Sequence, residues 1–405
     1  MKPRLVVIGN GMAGMRTIEE LLTVAPERYQ ITVFGAEPFG NYNRIMLSAI
    51  LSGEKSIDDI IIHDRQWYAN HKIQLYTGAE KAIVHIDRHH RQVIAQDGTV
   101  ADYDYLIIST GSKAIMPQVP GHHLQGVISF RDVVDVNTML DYASRTKKAV
   151  VLGGGLLGLE AANGLASRGM EVTVIHNHAT LLNRQLDEYA AQLLQDQLYK
   201  RNIQFKLATQ LQALLGDING HIQAVKCEDG KQLDCDLFVA AIGVRPNINL
   251  AIASGLTYDR GIIVNDTLQT NDPIIYAVGE CIQHRGQTFG LVAPLFEQAK
   301  VCAHHLSGHC AAQYITLPTA TKLKVTGIHL FSIGDFQGDH ETEYLYYKDP
   351  GLGIYKKLVL KKDRLVGAVL YGDTQDGPWY QELLETGQPL TTLRPSLIFG
   401  KVYAQ

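Results

Sequence analysis

Two copies of one local pattern constrain this chain more than any other feature. A short apolar run, Arg4 to Gly9 (RLVVIG), opens into the turn Gly9-Asn10-Gly11-Met12-Ala13-Gly14. Helical spacing follows from Met12 to Leu22, then a second apolar run, Ile31 to Phe34 (ITVF). The runs are too short for helices, so the order reads strand, glycine turn, helix, strand. The pattern returns later. Ala149 to Leu152 (AVVL) leads into Gly153-Gly154-Gly155-Leu156-Leu157-Gly158, a helix to about Arg168, and Val172 to Ile175 (VTVI). This implies an α/β fold with an internal duplication of a βαβ unit.

Both glycine turns fit G-x-G-x-x-G. In the first, Gly9 permits the tight turn and Gly11 admits a pyrophosphate close to the backbone, while Gly14 lets the helix pack on the strand. The helix N-terminus, at Met12 and Ala13, then faces the phosphates. Glu37, just past the second strand, is the carboxylate expected to accept from adenosine ribose hydroxyls. In the second turn Gly153, Gly155 and Gly158 take the same parts, with Leu156 and Leu157 between them. Two dinucleotides are implied, and a nicotinamide cofactor beside a flavin is the economical pair. Where an NAD-selective site places Asp or Glu, this chain reads Ile175-His176-Asn177-His178, with Arg184 beyond. No carboxylate there repels a 2′-phosphate, and two imidazoles with an arginine could attract one. The alternative is a solvated histidine loop, so NADH and NADPH both stay open.

At 405 residues the chain should hold two or three domains of about 150 residues each. Its 37 basic and 41 acidic residues give a net charge of −4, against a dedicated nucleic-acid binder. The five cysteines (Cys227, Cys235, Cys281, Cys302, Cys310) include no C-x-x-C pair, which argues against a disulfide scaffold or zinc ribbon. A strand begins almost at Met1, leaving no room for a signal peptide, and no apolar run could span a membrane. A cytoplasmic protein is expected. His89-His90, His122-His123 and His304-His305 lack paired carboxylates and are expected in loops or at the surface, with no metal site.

Strands are expected at Tyr105–Ser109, ending in Thr110-Gly111, at Leu237–Ile242, ending in Gly243, and at Ile274–Val278, ending in Gly279-Glu280. A helix should begin near Pro294. From about Ile315 the chain turns β-rich, at Lys322–Thr326, Ile328–Ile333, Glu343–Tyr347, Tyr355–Leu360 and Leu365–Leu370, and closes with a helix around Pro378–Glu385. Lys356, Lys357, Lys361, Lys362 and Arg364 there suggest either a basic edge that docks an acidic carrier protein or lysine protection of an edge strand.

The stretches IGNGMAG (8–14), YNRIMLS (42–48), STG (109–111), GGGLLGLEAA (153–162), AIGVRPN (241–247) and YAVGECIQHRGQTFGLVAP (276–294) together resemble the FAD reductases of the pyridine nucleotide–disulfide oxidoreductase superfamily. TKLKVTGIHLFSIGDF (321–336) carries the likeness on, and it is strongest to the flavin half of NAD(P)H-dependent assimilatory nitrite reductases and to rubredoxin reductases. The resemblance implies two Rossmann-like dinucleotide-binding domains and a C-terminal α+β domain. Residues 1–114 and 244–314 would form the FAD domain, 115–243 the NAD(P) domain and 315–405 the C-terminal domain. For FAD it implies Gly9, Gly11 and Gly14 at the pyrophosphate, Glu37 at the ribose, and Arg44 by the flavin or its phosphates. It further implies Ala82 at the adenine, Thr110, Gly111 and Arg131 nearby, Gly279-Glu280 at the ribityl chain, and Leu291, Val292 and Ala293 at the pyrimidine edge. For NAD(P) it implies the second glycine turn, Gly243, and Glu160 at the nicotinamide carboxamide.

The departures matter too. Asn41–Ser48 holds no cysteine, which removes the dithiol and sulfenate chemistries of the superfamily's disulfide reductases and peroxidases. Ala49 and Thr321 stand where oxygenase reductases carry a lysine and a tryptophan-rich segment. The expected function is therefore electron transfer from NAD(P)H through FAD to a separate acceptor protein, a nitrite or nitrate reductase component, the chain itself lacking the means to reduce nitrite. A rubredoxin or ferredoxin reductase is the first alternative and a nucleotide-sensing flavoprotein the second. A monomer or homodimer is expected.

Overall fold

Arg4–Ile8 is a nearly continuous apolar strand because its sheet is covered on both faces, as parallel sheets are. In the computed structural model, which describes residues 2–309 and 312–404, Leu5, Val7, Leu106 and Ile107 are fully buried. Met1 and Cys310 lie outside the described residues. The chain divides into two compact units: Met1–Met46, Ser56–Lys113 and Val244–Thr316 form one, and Leu47–Lys55, Ala114–Gly243 and Leu317–Gln405 the other.

The first unit holds a five-stranded parallel sheet in the order Ile275–Ala277, Tyr105–Ile108, Arg4–Ile8, Gln30–Gly35, Gln74–Thr77. The helices Met12–Val24 and Val292–Leu306 pack on each other beside it. The second unit repeats the plan in the order Val127–Ser129, Leu237–Ala240, Lys148–Leu152, Glu171–Ile175, Ile203–Lys206, all parallel. Each unit also carries a three-stranded antiparallel meander, Ile83–Asp87, Gln92–Ala95 and Val100–Asp102 in the first, Leu211–Gly216, Ile222–Cys227 and Gln232–Asp234 in the second. The duplication therefore extends well past the glycine turns.

The second unit also contains a four-stranded antiparallel sheet, ordered Leu330–Gly334, Arg364–Tyr371, Ile354–Lys361, Thr342–Asp349, with the helix Gly377–Thr386 on it. Within this unit the Asp187 carboxylate accepts from the Tyr355 hydroxyl at 2.5 Å and lies 3.6 Å from Lys357 Nζ. Arg201 bonds both Asn163 Oδ1 and the Thr326 carbonyl.

Two expectations change here. Lys322–Thr326 is not a strand. It carries one isolated bridge, at Val325, with another at Thr321 just before it. The lysine-rich strand is also not an edge: Ile354–Lys361 lies inside the sheet, and Thr342–Asp349 is its outer neighbour. Lys356 and Lys357 are buried, Lys356 pairing with Asp373 at 2.8 Å and Asp376 at 3.4 Å. Lys361 pairs with Asp339 at 2.6 Å and Glu341 at 2.9 Å. These charges are spent on internal pairs, because carboxylates remote in sequence fold onto them.

Candidate functional site: two glycine cradles

In both units the outer glycines of the turn are packed and the middle one is open. A Cβ on Gly9 would stand 2.2 Å from the Ser109 carbonyl oxygen, and one on Gly14 would stand 2.3 Å from Ser109 Oγ. A Cβ on Gly153 would stand 2.3 Å from the Ala241 oxygen, and one on Gly158 2.0 Å from the Gly153 oxygen. A Cβ on Gly11 or Gly155 would meet nothing within 4 Å. Gly9 and Gly153 also hold φ of 112° and 123°, the region that favours glycine. Gly11 and Gly155 are the N-cap positions of Met12–Val24 and Leu156–Ser167, and neither helix has a side-chain cap bond. Each unit thus offers free space over a helix start whose first amides need acceptors, which suits a pyrophosphate.

Around the first cradle Ser109 Oγ donates to the carbonyls of Ile8 and Gly9, both at 3.0 Å, tying the loop to the neighbouring strand. Asn10 is braced by the Tyr68 hydroxyl at 2.6 Å and donates to the Phe39 carbonyl. The Glu37 carboxylate accepts from the Tyr42 hydroxyl at 2.6 Å and from the Arg44 guanidinium, so the two expected contacts of the adenosine and phosphate regions meet each other. The Ala82 N–H goes to Ala79 and its carbonyl accepts from Gln96.

Thr110 and Gly111 follow the strand Tyr105–Ile108, held by bonds from the Thr110 hydroxyl to the Asn247 carbonyl and from the Asn247 N–H to Gly111. Glu280 accepts from Ser112 Oγ at 2.8 Å. Gly279 donates to the fully buried Gln298 amide at 2.8 Å, and a Cβ there would press on Ala13 at 2.9 Å. Leu291 is the N-cap position of Val292–Leu306, again without a side-chain cap bond, so Val292 and Ala293 sit in an open first turn. Cys281 is fully buried, burial raising its thiol to about 11, which makes it a packing residue.

Around the second cradle the His176 ring packs on Gly154 and its Nδ1 accepts from the Gly154 N–H at 3.2 Å. Nδ1 being the acceptor, the neutral ring carries its proton on the buried Nε2, and the Asn183 side chain and Thr180 backbone are the polar groups that bear on the ring. Burial pulls His176 below its ordinary value, so it is a neutral donor and not a cation. His178 lies 5.4 Å from it, centroid to centroid, and Arg184 lies on the following loop. Gly243 accepts from Ile115 N–H. Arg131 precedes the helix Val133–Arg145, its backbone N–H bonded to Asp135.

Glu160 is 9% exposed and accepts from the Lys324 backbone N–H at 3.0 Å. Burial is the main influence on it and raises its carboxyl to about 7, against opposing pulls from Lys324 and the Ser48 hydroxyl. Lys324, Asn10, Asn247 and Gln298 were not singled out from sequence. Lys324 sits inside the TKLKVTG stretch, and Asn10 inside the first glycine turn, so position alone could have flagged both.

Residues 3–304 match the pyridine nucleotide-disulphide oxidoreductase family, and the chain belongs to it. Residues 319–388 match the rubredoxin NAD+ reductase C-terminal domain. Among curated relatives, a nitrite reductase [NAD(P)H] of Bacillus subtilis is 47% identical over 376 residues, covering 93% of this chain and 46% of that protein. The assimilatory nitrate reductase electron transfer subunit of the same organism is 44% identical, covering 93% of this chain and 48% of that one. The chain therefore spans about half the length of these relatives. A covalent putidaredoxin reductase–putidaredoxin complex contains a chain of the same fold, with a TM-score of 0.87, 25% identity and coverage of 99% and 96%. The fold is accordingly the two-Rossmann reductase fold with a C-terminal domain, and reductases of this family use FAD and NAD(P)H. Among the described residues no helix is long and apolar enough to cross a membrane.

Proposed function

We propose that the chain is a cytoplasmic FAD-containing reductase that takes electrons from NAD(P)H and passes them to a separate acceptor protein in nitrite or nitrate assimilation. One observation carries this reading: two cradles of the same build, each packed at its outer glycines and open at the middle one. Bound FAD would supply the exchange between a two-electron donor and a one-electron acceptor. In the first unit Gly11 and the start of Met12–Val24 would hold its pyrophosphate, with Glu37 and Arg44 at the adenosine end. Thr110, Gly111, Glu280 and the Leu291–Ala293 turn would meet the rest, with Ala82 as a further proposed contact. In the second unit Gly155, Leu156 and Leu157 would hold the nicotinamide nucleotide, with Glu160 at its carboxamide and His176, His178 and Arg184 at its adenosine end. The nitrogen-assimilation acceptor is supported by the two Bacillus subtilis relatives.

Anaerobic stopped-flow reduction of the purified yellow protein by NADH and by NADPH tests this directly. Bleaching of the flavin absorbance by either nucleotide, fast transfer to artificial acceptors and no turnover of nitrite are expected. A bound flavin that neither nucleotide reduces would overturn the reading and favour a nucleotide sensor. The match of residues 319–388 favours one second reading, a rubredoxin or ferredoxin reductase. Rapid reduction of such a carrier, with no transfer to a nitrite or nitrate reductase component, would select it.

A further inference from the structure

The ladder of the strand Ile275–Ala277 ends with the Val278 N–H on the Ile108 carbonyl at 3.0 Å, and the next N–H, that of Gly279, leaves the sheet while still buried. A buried N–H needs a partner. It finds one in a side chain: Gln298 Oε1 accepts from it at 2.8 Å. Gln298 is fully buried, and it is the one amide among the buried residues of the helix Val292–Leu306, beside Leu295, Ala299 and Cys302. Its Nε2 lies 3.5 Å from the Tyr314 hydroxyl oxygen, an acceptor that keeps the amide oxygen turned to Gly279. The turn has no slack: Gly279 holds φ of 96°, and a Cβ on it would stand 2.9 Å from Ala13 and 3.3 Å from Leu295 Cδ2. Glu280 follows at once, its carboxylate accepting from Ser112 Oγ at 2.8 Å.

We propose that Gln298 is a positioning residue for FAD, tying the Gly279-Glu280 turn to the helix Val292–Leu306; this rests on the reading of that turn and of the helix start as flavin contacts given above. Any acceptor would satisfy the Gly279 N–H. One carried by this helix also sets the distance between the Glu280 carboxylate and the open first turn of the helix, two groups that would meet the ribityl chain and the pyrimidine edge. Without the amide oxygen the N–H is left unpaired in a buried site, and the turn is released from the helix. The flavin site then loses its geometry although every residue that touches the flavin is still present.

The test follows FAD release from the dilute, purified holoprotein by the rise of free-flavin fluorescence, beside thermal melting of the same samples. Gln298→Met has nearly the same volume and no acceptor, so it should release FAD at least about tenfold faster, the cost of one unpaired buried N–H. Gln298→Glu at pH 6 should bring release back to within about threefold of wild type, because a buried carboxyl stays protonated and offers the same acceptor and donor. Leu306→Ala opens a cavity about 12 Å further along the same helix; it should lower the melting temperature yet leave release within about twofold of wild type. Tyr314→Phe frees the amide to turn and should speed release about three- to fivefold, which serves where Gln298→Met folds poorly. Release from both Gln298→Met and Tyr314→Phe as slow as from wild type, equal acceleration in Leu306→Ala, or no rescue by Gln298→Glu would overturn the proposal. A flavin that no nucleotide reduces, with the release rates ordered as expected, would instead overturn the reductase reading and leave the role of Gln298 standing.

Discussion

The backbone N–H of Lys324 donates to Glu160 across 3.0 Å, so a side chain on the helix Leu156–Ser167 is completed by the segment that leads into the strand Leu330–Gly334. The link has a measurable thermodynamic side. Burial raises the Glu160 carboxyl from 4.5 to about 7, so the folded chain holds this proton more tightly than the unfolded chain does. That contribution is fully present below about pH 4.5 and is lost as pH rises through about 7. Glu160→Gln keeps an acceptor for the Lys324 N–H and never ionises. Relative to wild type it should gain about 2–3 kcal/mol between pH 5 and pH 9. Urea unfolding across that range checks it; a constant difference between the two proteins would count against the shift.

The glycine geometry separates ligand binding from folding. Gly11→Ala places its methyl in open space, so the chain should fold with near wild-type stability but lose most of its FAD. Gly155→Ala should likewise fold and keep FAD, with KM for the nicotinamide nucleotide raised at least tenfold. Gly14→Ala and Gly158→Ala drive a methyl to 2.3 Å from Ser109 Oγ and 2.0 Å from the Gly153 oxygen, and should cost about 3 kcal/mol or more before any ligand is considered. Thermal melting and flavin content, measured together on the four variants, decide this. Equal stability losses at all four positions would remove the cradle argument.

The parallel sheets were legible because their causes are local: Arg4–Ile8 and Lys148–Leu152 are apolar runs that break at glycines needing positive φ. The meanders were not read out, since strands such as Ile83–Asp87 bury only Ile83 and Ile86, with Val84 and His85 both exposed, and carry no strong apolar run. Lys322–Thr326 misleads for a physical reason. Leu323 and Val325 are buried in alternation as in a strand, yet the N–H between them goes to Glu160 and not to a ladder. Lys356 and Lys357 mislead similarly, because Asp373, Asp376 and Asp187 reach them only in three dimensions. The duplicated glycine turns located both candidate sites; the neutrality of His176 depends on Gly154 and on burial, which no spacing reports.

That neutrality shapes the expected nucleotide preference. A neutral His176 leaves Arg184 and His178 as the groups that could favour a 2′-phosphate. Arg184→Ala should raise KM for NADPH about 10- to 100-fold, the value of one or two charge-assisted bonds, and change KM for NADH little. His176→Glu introduces a carboxylate just past the strand Glu171–Ile175 and should turn the enzyme towards NADH. Steady-state kinetics with both nucleotides on the two variants measure this. An Arg184→Ala enzyme that loses NADH and NADPH equally would show that the arginine does not read the phosphate.

Asp187 makes a final case, in which one carboxylate serves three partners. Its Oδ1 caps the helix Glu188–Tyr199 by accepting from the Ala190 N–H at 3.1 Å, while its Oδ2 accepts from Tyr355 and faces the buried Lys357. Tyr355→Phe removes one neutral donor, and Lys357 still faces the carboxylate, so the cost should be about 1 kcal/mol. Asp187→Ala strands the Lys357 ammonium in a buried site and uncaps the helix as well, and should cost about 4 kcal/mol. If the cation is the main reason, Asp187→Ala combined with Lys357→Met should recover about half of that loss, leaving the cap and the Tyr355 hydroxyl unrestored. Denaturant unfolding of the three variants resolves the parts. A double variant no more stable than Asp187→Ala alone would show that the cap and the hydroxyl, rather than the buried charge, hold this corner of the fold.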